Sequence, residues 1–137
     1  MTECATQTEI PASHADLLES TALAHIATIG PDGAPQNNPV WFGWDGTHLK
    51  ISQTTTRQKY QNVQRDPNIA VSIVDPSNPY RYLEIRGIVE RIDPDPEKAF
   101  IDEMAKKYMG VDKYSWNQPG DERVVLFVRP RHTTQMG

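Results

Sequence analysis

Ile69-Ala70-Val71-Ser72-Ile73-Val74, Asp75-Pro76-Ser77-Asn78-Pro79 and Tyr80-Arg81-Tyr82-Leu83-Glu84-Ile85-Arg86-Gly87-Ile88-Val89-Glu90-Arg91-Ile92 follow one another without a break. The first run alternates β-branched with small residues and reads as a strand. The second is a loop signal, rich in Pro, Ser and Asn. The third is a long strand in which Tyr82, Glu84 and Arg86 face away from Leu83 and Ile85. Its phase changes at Gly87, which predicts a bulge or bend there. Strands joined by so short a loop pair antiparallel, so hairpins organise this chain.

The same grammar holds on the N-terminal side. Ala22 to Ile29 is a strand with small residues between Leu23 and Ile26. Gly30-Pro31-Asp32-Gly33 is a turn leading into the run from Pro35 to Trp44, and Asp45-Gly46 makes the next hairpin. Leu49 to Ser52 forms the third strand. Upstream, Pro11 to Glu19 reads as a short helix begun by Pro11 or Ser13, with Leu17 and Leu18 under the sheet. Residues 1–10 are expected to be frayed.

On the C-terminal side, Asp95-Pro96-Glu97 predicts a helix start, with Asp95 as N-cap and Pro96 at the first helical position. Phe100, Ile101, Met104, Ala105 and Tyr108 recur on one face, and Gly110 ends the helix. Val111 to Glu122 is a polar loop carrying Tyr114 and Trp116. Arg123 to Pro130 is nearly all apolar between its arginines, so it is a buried strand. Six strands with three short helices predict one domain, residues 1–137, built as a small antiparallel barrel with peripheral helices. Trp41, Phe42 and Trp44 are either ordinary strand residues or part of a dimer interface.

The 137 residues carry a net charge of −4, which argues against general nucleic-acid binding. Cys4 is the single cysteine, so no intrachain disulfide forms and a cytoplasmic location is expected. No signal-peptide pattern opens the chain, and no apolar run is long enough to span a bilayer. The histidines at 14, 25, 48 and 132 show no ligand spacing and no cysteine companion, so no metal site is expected. Asp93 and Asp95 fit capping better than paired acid–base work, and Glu84 with Arg86 fits an ion pair on a barrel wall. No catalytic side chain stands out.

One cationic stretch departs from the acidic background. Ser52-Gln53-Thr54-Thr55-Thr56-Arg57-Gln58-Lys59 leads from the third strand into a short helical pattern that ends at Arg65-Asp66-Pro67. It reads as a solvated helix capped by Thr55 or Thr56, or as an anion site at a helix start. With Thr56 as N-cap, Arg57 falls in the first turn, where the macrodipole disfavours a cation. A bound anion removes that conflict and tips the balance towards a site.

From Leu23 to Arg131 the chain resembles the split-barrel flavoproteins related to pyridoxamine 5′-phosphate oxidase, and more closely the branch that uses the deazaflavin coenzyme F420. The resemblance rests on Ala27 to Pro35, on Arg57-Gln58-Lys59 with Asn62 and Arg65-Asp66-Pro67, and on Asp75 to Gly87. It extends through Ala105 to Gly110, Tyr114, Trp116 and Pro119-Gly120. It implies a six-stranded antiparallel split β-barrel that forms a homodimer, with two cofactor sites at the dimer interface. It further implies that Arg57 and Lys59 hold the cofactor phosphate and that Gln36, Asn38, Pro39 and Val40 line the ring system. Ser52, Gln53 and Thr54 are implied beside the phosphate and ribityl chain, and Tyr80 by the site.

The implied cofactor is F420, with FMN as the alternative, and the implied activity is hydride transfer to a planar reducible small molecule. A quinone, an unsaturated lactone or a tetrapyrrole-like compound would serve. A non-enzymatic protein binding F420, flavin or haem is the remaining reading. Gln58 stands where the flavin-using oxidases carry an arginine before the lysine, and the C-terminal residues that bind pyridoxal phosphate in the oxidase are missing, which argues against vitamin B6 oxidation.

Overall fold

The computed structural model describes residues 8–137. A 3-10 helix, Ala12–Glu19, precedes the strands β1 Ala24–Ile29, β2 Pro35–Val40, β3 Gly43–Trp44 and β4 Leu49–Thr54. Helix α1 Gln58–Arg65, strands β5 Asn68–Asp75 and β6 Asn78–Pro94, helix α2 Ala99–Met109 and strand β7 Arg123–Met136 complete the chain. Most of the expected frayed start lies outside the described residues. Within them, Thr8 N–H donates to Pro130 O at 3.2 Å and Ile10 packs against the core.

All strand pairs are antiparallel, in the order β2-β1-β5-β6-β7-β4-β3. The two edge strands, β2 and β3, are neighbours in the chain, separated by Trp41 and Phe42 alone. A link of this length spans roughly 10 Å at most. The sheet must therefore curl until its edges almost meet, which makes a barrel split between β2 and β3.

Among the described residues seven strands thus replace the six expected. The run from Pro35 to Trp44 is not one strand, because its two ends pair with different partners, β1 and β4. The break is driven by burial: Phe42 is 0 % exposed inside the core. It therefore offers no surface to a second copy. Gly43 follows because a Cβ there would stand 3.3–3.4 Å from Met104 and Phe100 of α2.

The barrel core joins Leu17 and Leu18 from the 3-10 helix to Ile26, Phe42, Leu49, Ile51, Val71, Ile73, Leu83, Ile85, Leu126 and Val128. A second cluster, Phe100, Ile101 and Met104 with Val125 and Phe127, forms where α2 covers the outer face of β7. Both faces of β7 are therefore buried, which is why its apolar residues run on without alternating. The predicted bulge is present: the β6–β7 register shifts at Arg86/Gly87 and again at Val89/Arg91. Glu84 accepts a hydrogen bond from Arg86 Nε at 3.0 Å, the ordinary wall pair.

Two helix starts differ from expectation. The N-cap of α2 is Lys98 rather than Asp95, and Pro96 is not helical, although the Asp95 carboxylate still accepts from the N–H groups of Ala99 (3.0 Å) and Phe100 (3.1 Å). Asp95 to Lys98 forms a turn first, with Lys98 N–H donating to Asp95 O, and Lys98 takes the left-handed conformation at φ 59°. Helix α1 has Arg57 as its N-cap with no side-chain capping bond, so neither Thr55 nor Thr56 serves.

Candidate functional site

The chain leaves β4 at Thr54, turns with Arg57 N–H donating to Thr54 O at 3.2 Å, and enters α1. One face of α1 is buried, and it carries Lys59, Asn62 and Val63. A helix this polar on its inward face is not there for core packing alone. Lys59 is only 6 % exposed. Burial, with the neighbouring Arg57 charge adding to it, lowers its pKa to about 8. Across the ladder, Arg123 opens β7 opposite Thr54. Its Nη1 donates to Ser52 Oγ at 3.1 Å, its Nε donates to Asn117 Oδ1 at 2.9 Å, and its guanidinium lies over the Tyr114 ring.

Ser52, Gln53, Thr54, Arg57, Lys59 and Arg123 wall a cavity of about 360 Å³. Leu23, Asn38, Pro39, Val40, Trp41, Ile101, Met104, Tyr114 and Trp116 complete its lining. Eight predicted residues meet there: Asn38, Pro39, Val40, Ser52, Gln53, Thr54, Arg57 and Lys59. Gln36 and Tyr80 lie outside the lining; Gln36 holds Asn62 instead, and Tyr80 is 79 % exposed at the start of β6.

Electrostatically the cavity is one-sided. Among the described residues, Arg57, Lys59 and Arg123 have no carboxylate within ion-pairing distance. Unpaired cations at a helix N-terminus are what an anion needs. A neighbouring hollow of about 420 Å³ shares Arg123 but is lined by Asp95, Asp121 and Glu122, which would repel an anion. Much of the remaining wall is apolar or aromatic, with Leu23, Val40, Trp41, Ile101, Met104, Tyr114 and Trp116. Trp41 meets the Tyr114 ring edge-on at 6.0 Å, and Tyr114 meets Trp116 the same way at 5.5 Å. Among the described residues the buried Oδ1 of Asn38 has no hydrogen-bond partner, so an acceptor stands free at this wall.

Sequence reading missed Arg123, Trp41 and Trp116 as wall residues, along with Leu23, Ile101, Met104 and Tyr114. Tyr114 and Trp116 did carry a signal, as large aromatics in a polar loop. Arg123 carried almost none, because only the β4–β7 register brings it to Ser52 and Thr54.

An antiparallel split barrel with a cation-lined, aromatic-walled cleft at the end of β4 defines the class. The family model for pyridoxamine 5′-phosphate oxidase matches residues 10–136, and the chain belongs to that family. A solved structure named F420 reductase is 45 % identical over 91 % of this chain and 98 % of its own, with a TM-score of 0.83. The structure of the conserved hypothetical protein Rv2991 from Mycobacterium tuberculosis is 24 % identical over 99 % of this chain and 89 % of its own, TM-score 0.73. Group A Streptococcus HupZ is 20 % identical over 93 % and 94 %, TM-score 0.63, and with Rv2991 it supports the fold alone. No curated protein matches the chain. No helix among the described residues is long and apolar enough to cross a membrane.

Proposed function

We propose that the protein is an F420-dependent oxidoreductase that transfers a hydride from the reduced coenzyme to a planar reducible small molecule. A quinone, an unsaturated lactone or a tetrapyrrole-like acceptor fits this reading. The observation that carries it is the set of three cations, Arg57, Lys59 and Arg123, unpaired among the described residues at one side of an aromatic-walled cavity. The 45 % identity to the F420 reductase supports the choice of cofactor.

The donor set fits a planar ring with a phosphorylated chain. Arg57, Lys59 and Arg123 take the phosphate by charge-assisted hydrogen bonds. Ser52, Gln53 and Thr54 line the path of the polyol chain, and Asn38, Pro39 and Val40 face the ring, with Asn38 Oδ1 free to accept an N–H. Leu23, Trp41, Met104, Tyr114 and Trp116 exclude water and give the acceptor apolar and aromatic side chains to pack against. When bound, the cofactor supplies the hydride, and the protein supplies orientation and electrostatics. No side chain is then required as a dedicated acid or base.

In this reading the protein is a cytoplasmic homodimer. Leu23 and Trp116, 42 % and 56 % exposed at the cavity, and Tyr80 are the surfaces a second copy would cover. FMN is the second reading, because the same cations would hold its phosphate.

The deciding experiment titrates the purified protein with F420 and, separately, with FMN, followed by turnover of reduced F420 with a panel of acceptors. F420 binding with acceptor reduction is expected. A yellow protein retaining FMN and indifferent to F420 selects the second reading. Tight F420 binding with no acceptor reduced identifies a carrier.

A further inference from the structure

Asn62 stands on the buried face of α1 and is 0 % exposed. Its Nδ2 donates to Thr28 Oγ1 on β1 at 3.0 Å and to Gln36 Oε1 on β2 at 3.1 Å. Its Oδ1 accepts from Gln58 Nε2 at 2.8 Å and from Arg65 Nη2 at 3.4 Å. Both amide hydrogens and both lone pairs are used, the full capacity of a carboxamide. Arg65 also donates to Ile29 O at 2.6 Å, a second tie from α1 to β1.

Thr28 and Gln36 are cross-strand partners, so Asn62 seats on the β1–β2 ladder at one rung. Strand β2 needs that tie. Among the described residues it is an edge strand paired with β1 alone, it is mostly exposed, and Pro35 and Pro39 lack the N–H that a ladder uses. Among the described residues, Asn62–Gln36 is the only hydrogen bond between α1 and β2. Gln36, Asn38 and Val40 share one face of β2 by alternation, and Asn38 and Val40, with Pro39 between them, line the cavity. Lys59 lies one turn before Asn62 on α1 and lines it from the other side. For stability alone an aliphatic side chain serves a buried helix position as well, without the cost of desolvating an amide.

We infer that Asn62 is a positioning residue, setting the separation between the cation-bearing start of α1 and the ring-lining strand β2. It acts through Gln36 and touches no ligand. The inference rests on the proposed reading in one respect, that the ligand spans both ends of the cavity. A spanning ligand gains from correct spacing because its second contact is intramolecular, and a ligand that engages one end gains nothing.

The test compares Asn62→Leu and the milder Gln36→Met with the unaltered protein, using F420, FMN, riboflavin and inorganic phosphate as ligands. Affinity for the phosphorylated cofactor should fall about tenfold in both variants, while riboflavin and inorganic phosphate, each reaching one end, change less than about twofold. Equal losses for whole and part, or no loss, overturn the inference. A second arm needs no cofactor: amide hydrogen exchange across residues 36–40 should accelerate about tenfold in both variants, with β5 unchanged. Unaltered exchange there overturns the inference whatever the ligands do. An unaltered protein that binds none of the four ligands defeats the proposed function, and the exchange result still decides the role of Asn62.

Discussion

Tyr108 lays its ring against Trp41, centroids 5.3 Å apart and planes 6° apart, at the point where the barrel is split. Its hydroxyl donates to Ala22 O at 2.7 Å and accepts from Phe42 N–H at 3.2 Å. One side chain of α2 thereby clasps the segment between β2 and β3 to the chain just before β1. Lys107 adds a bond from Nζ to Phe42 O at 2.7 Å. The cavity wall at Trp41 is therefore set by α2.

Tyr108→Phe keeps the stacked ring and removes the clasp. Two buried backbone groups lose a partner, so stability should fall by about 1–3 kcal/mol, read as a lowered denaturant midpoint. The phenol itself is held back from ionising: burial pushes its pKa up to about 12. In a spectrophotometric titration one tyrosine should ionise late, and that late step should be missing in the variant.

Gly87 tests the bulge. A Cβ at this position would stand 2.4 Å from Arg129 O, a backbone atom that cannot swing aside. Gly87→Ala must part β6 from β7 at the register shift, with a cost of about 2 kcal/mol or more. Gly110→Ala is the control, because no atom of the described residues crowds that site and its φ of 72° is what opposes a side chain. Its cost should stay near about 1 kcal/mol. Thermal unfolding of the two variants checks the order.

The contrast between these positions shows what the sequence could and could not reveal. The bulge at Gly87 was readable because the alternation of side chains breaks locally. The split at Trp41-Phe42 was not, because Val40 to Trp44 is a continuous apolar run and only its pairing partners change. Asp95 announced a helix start but not the extra turn through Lys98, since a carboxylate can reach N–H groups from more than one backbone path. Arg57 and Lys59 were readable as local neighbours at a helix start. Arg123, 66 residues beyond Arg57 in number, comes to them only by strand pairing.

Lys59 makes stability pH-dependent in a direction fixed by its environment. Its pKa is depressed from 10.5 to about 8, by burial first and by Arg57 second. The folded protein therefore holds this proton less tightly than the unfolded chain. Between about pH 8 and 10.5 the unfolded state binds more protons, so through this group stability rises with pH across that window. Below it the full cost of a buried, unpaired ammonium is present. Lys59→Met should raise the stability of the ligand-free protein at pH 7 and flatten this dependence, measured by urea unfolding at several pH values.

The same group carries the opposite dependence for a phosphorylated ligand. Phosphate binds the charged ammonium, so affinity should fall as Lys59 loses its proton above about pH 8. Lys59→Met should bind the phosphorylated cofactor about ten- to a hundredfold more weakly at pH 7, and the fall above pH 8 should disappear. Riboflavin, lacking the phosphate, should show neither effect. Fluorescence titrations across the pH range make the comparison.

Arg123 is the residue whose replacement should separate charge from geometry. Its Nε and Nη1 reach two elements at once, Asn117 in the loop before β7 and Ser52 on β4, while its plane covers Tyr114. A lysine restores the charge but has one ammonium and no plane, so it cannot hold both partners in that fork. Arg123→Met should weaken phosphate-bearing ligands at least about tenfold. Arg123→Lys should recover the salt dependence of binding but leave the loop from Val111 to Glu122 loosened. Limited proteolysis reads that loop directly: both variants should be cut there faster than the unaltered protein. A lysine variant as resistant as the parent would mean that Arg123 supplies charge alone and that the loop is held by Asp102, which accepts from Tyr114 N–H at 2.9 Å and faces Lys113 at 3.7 Å.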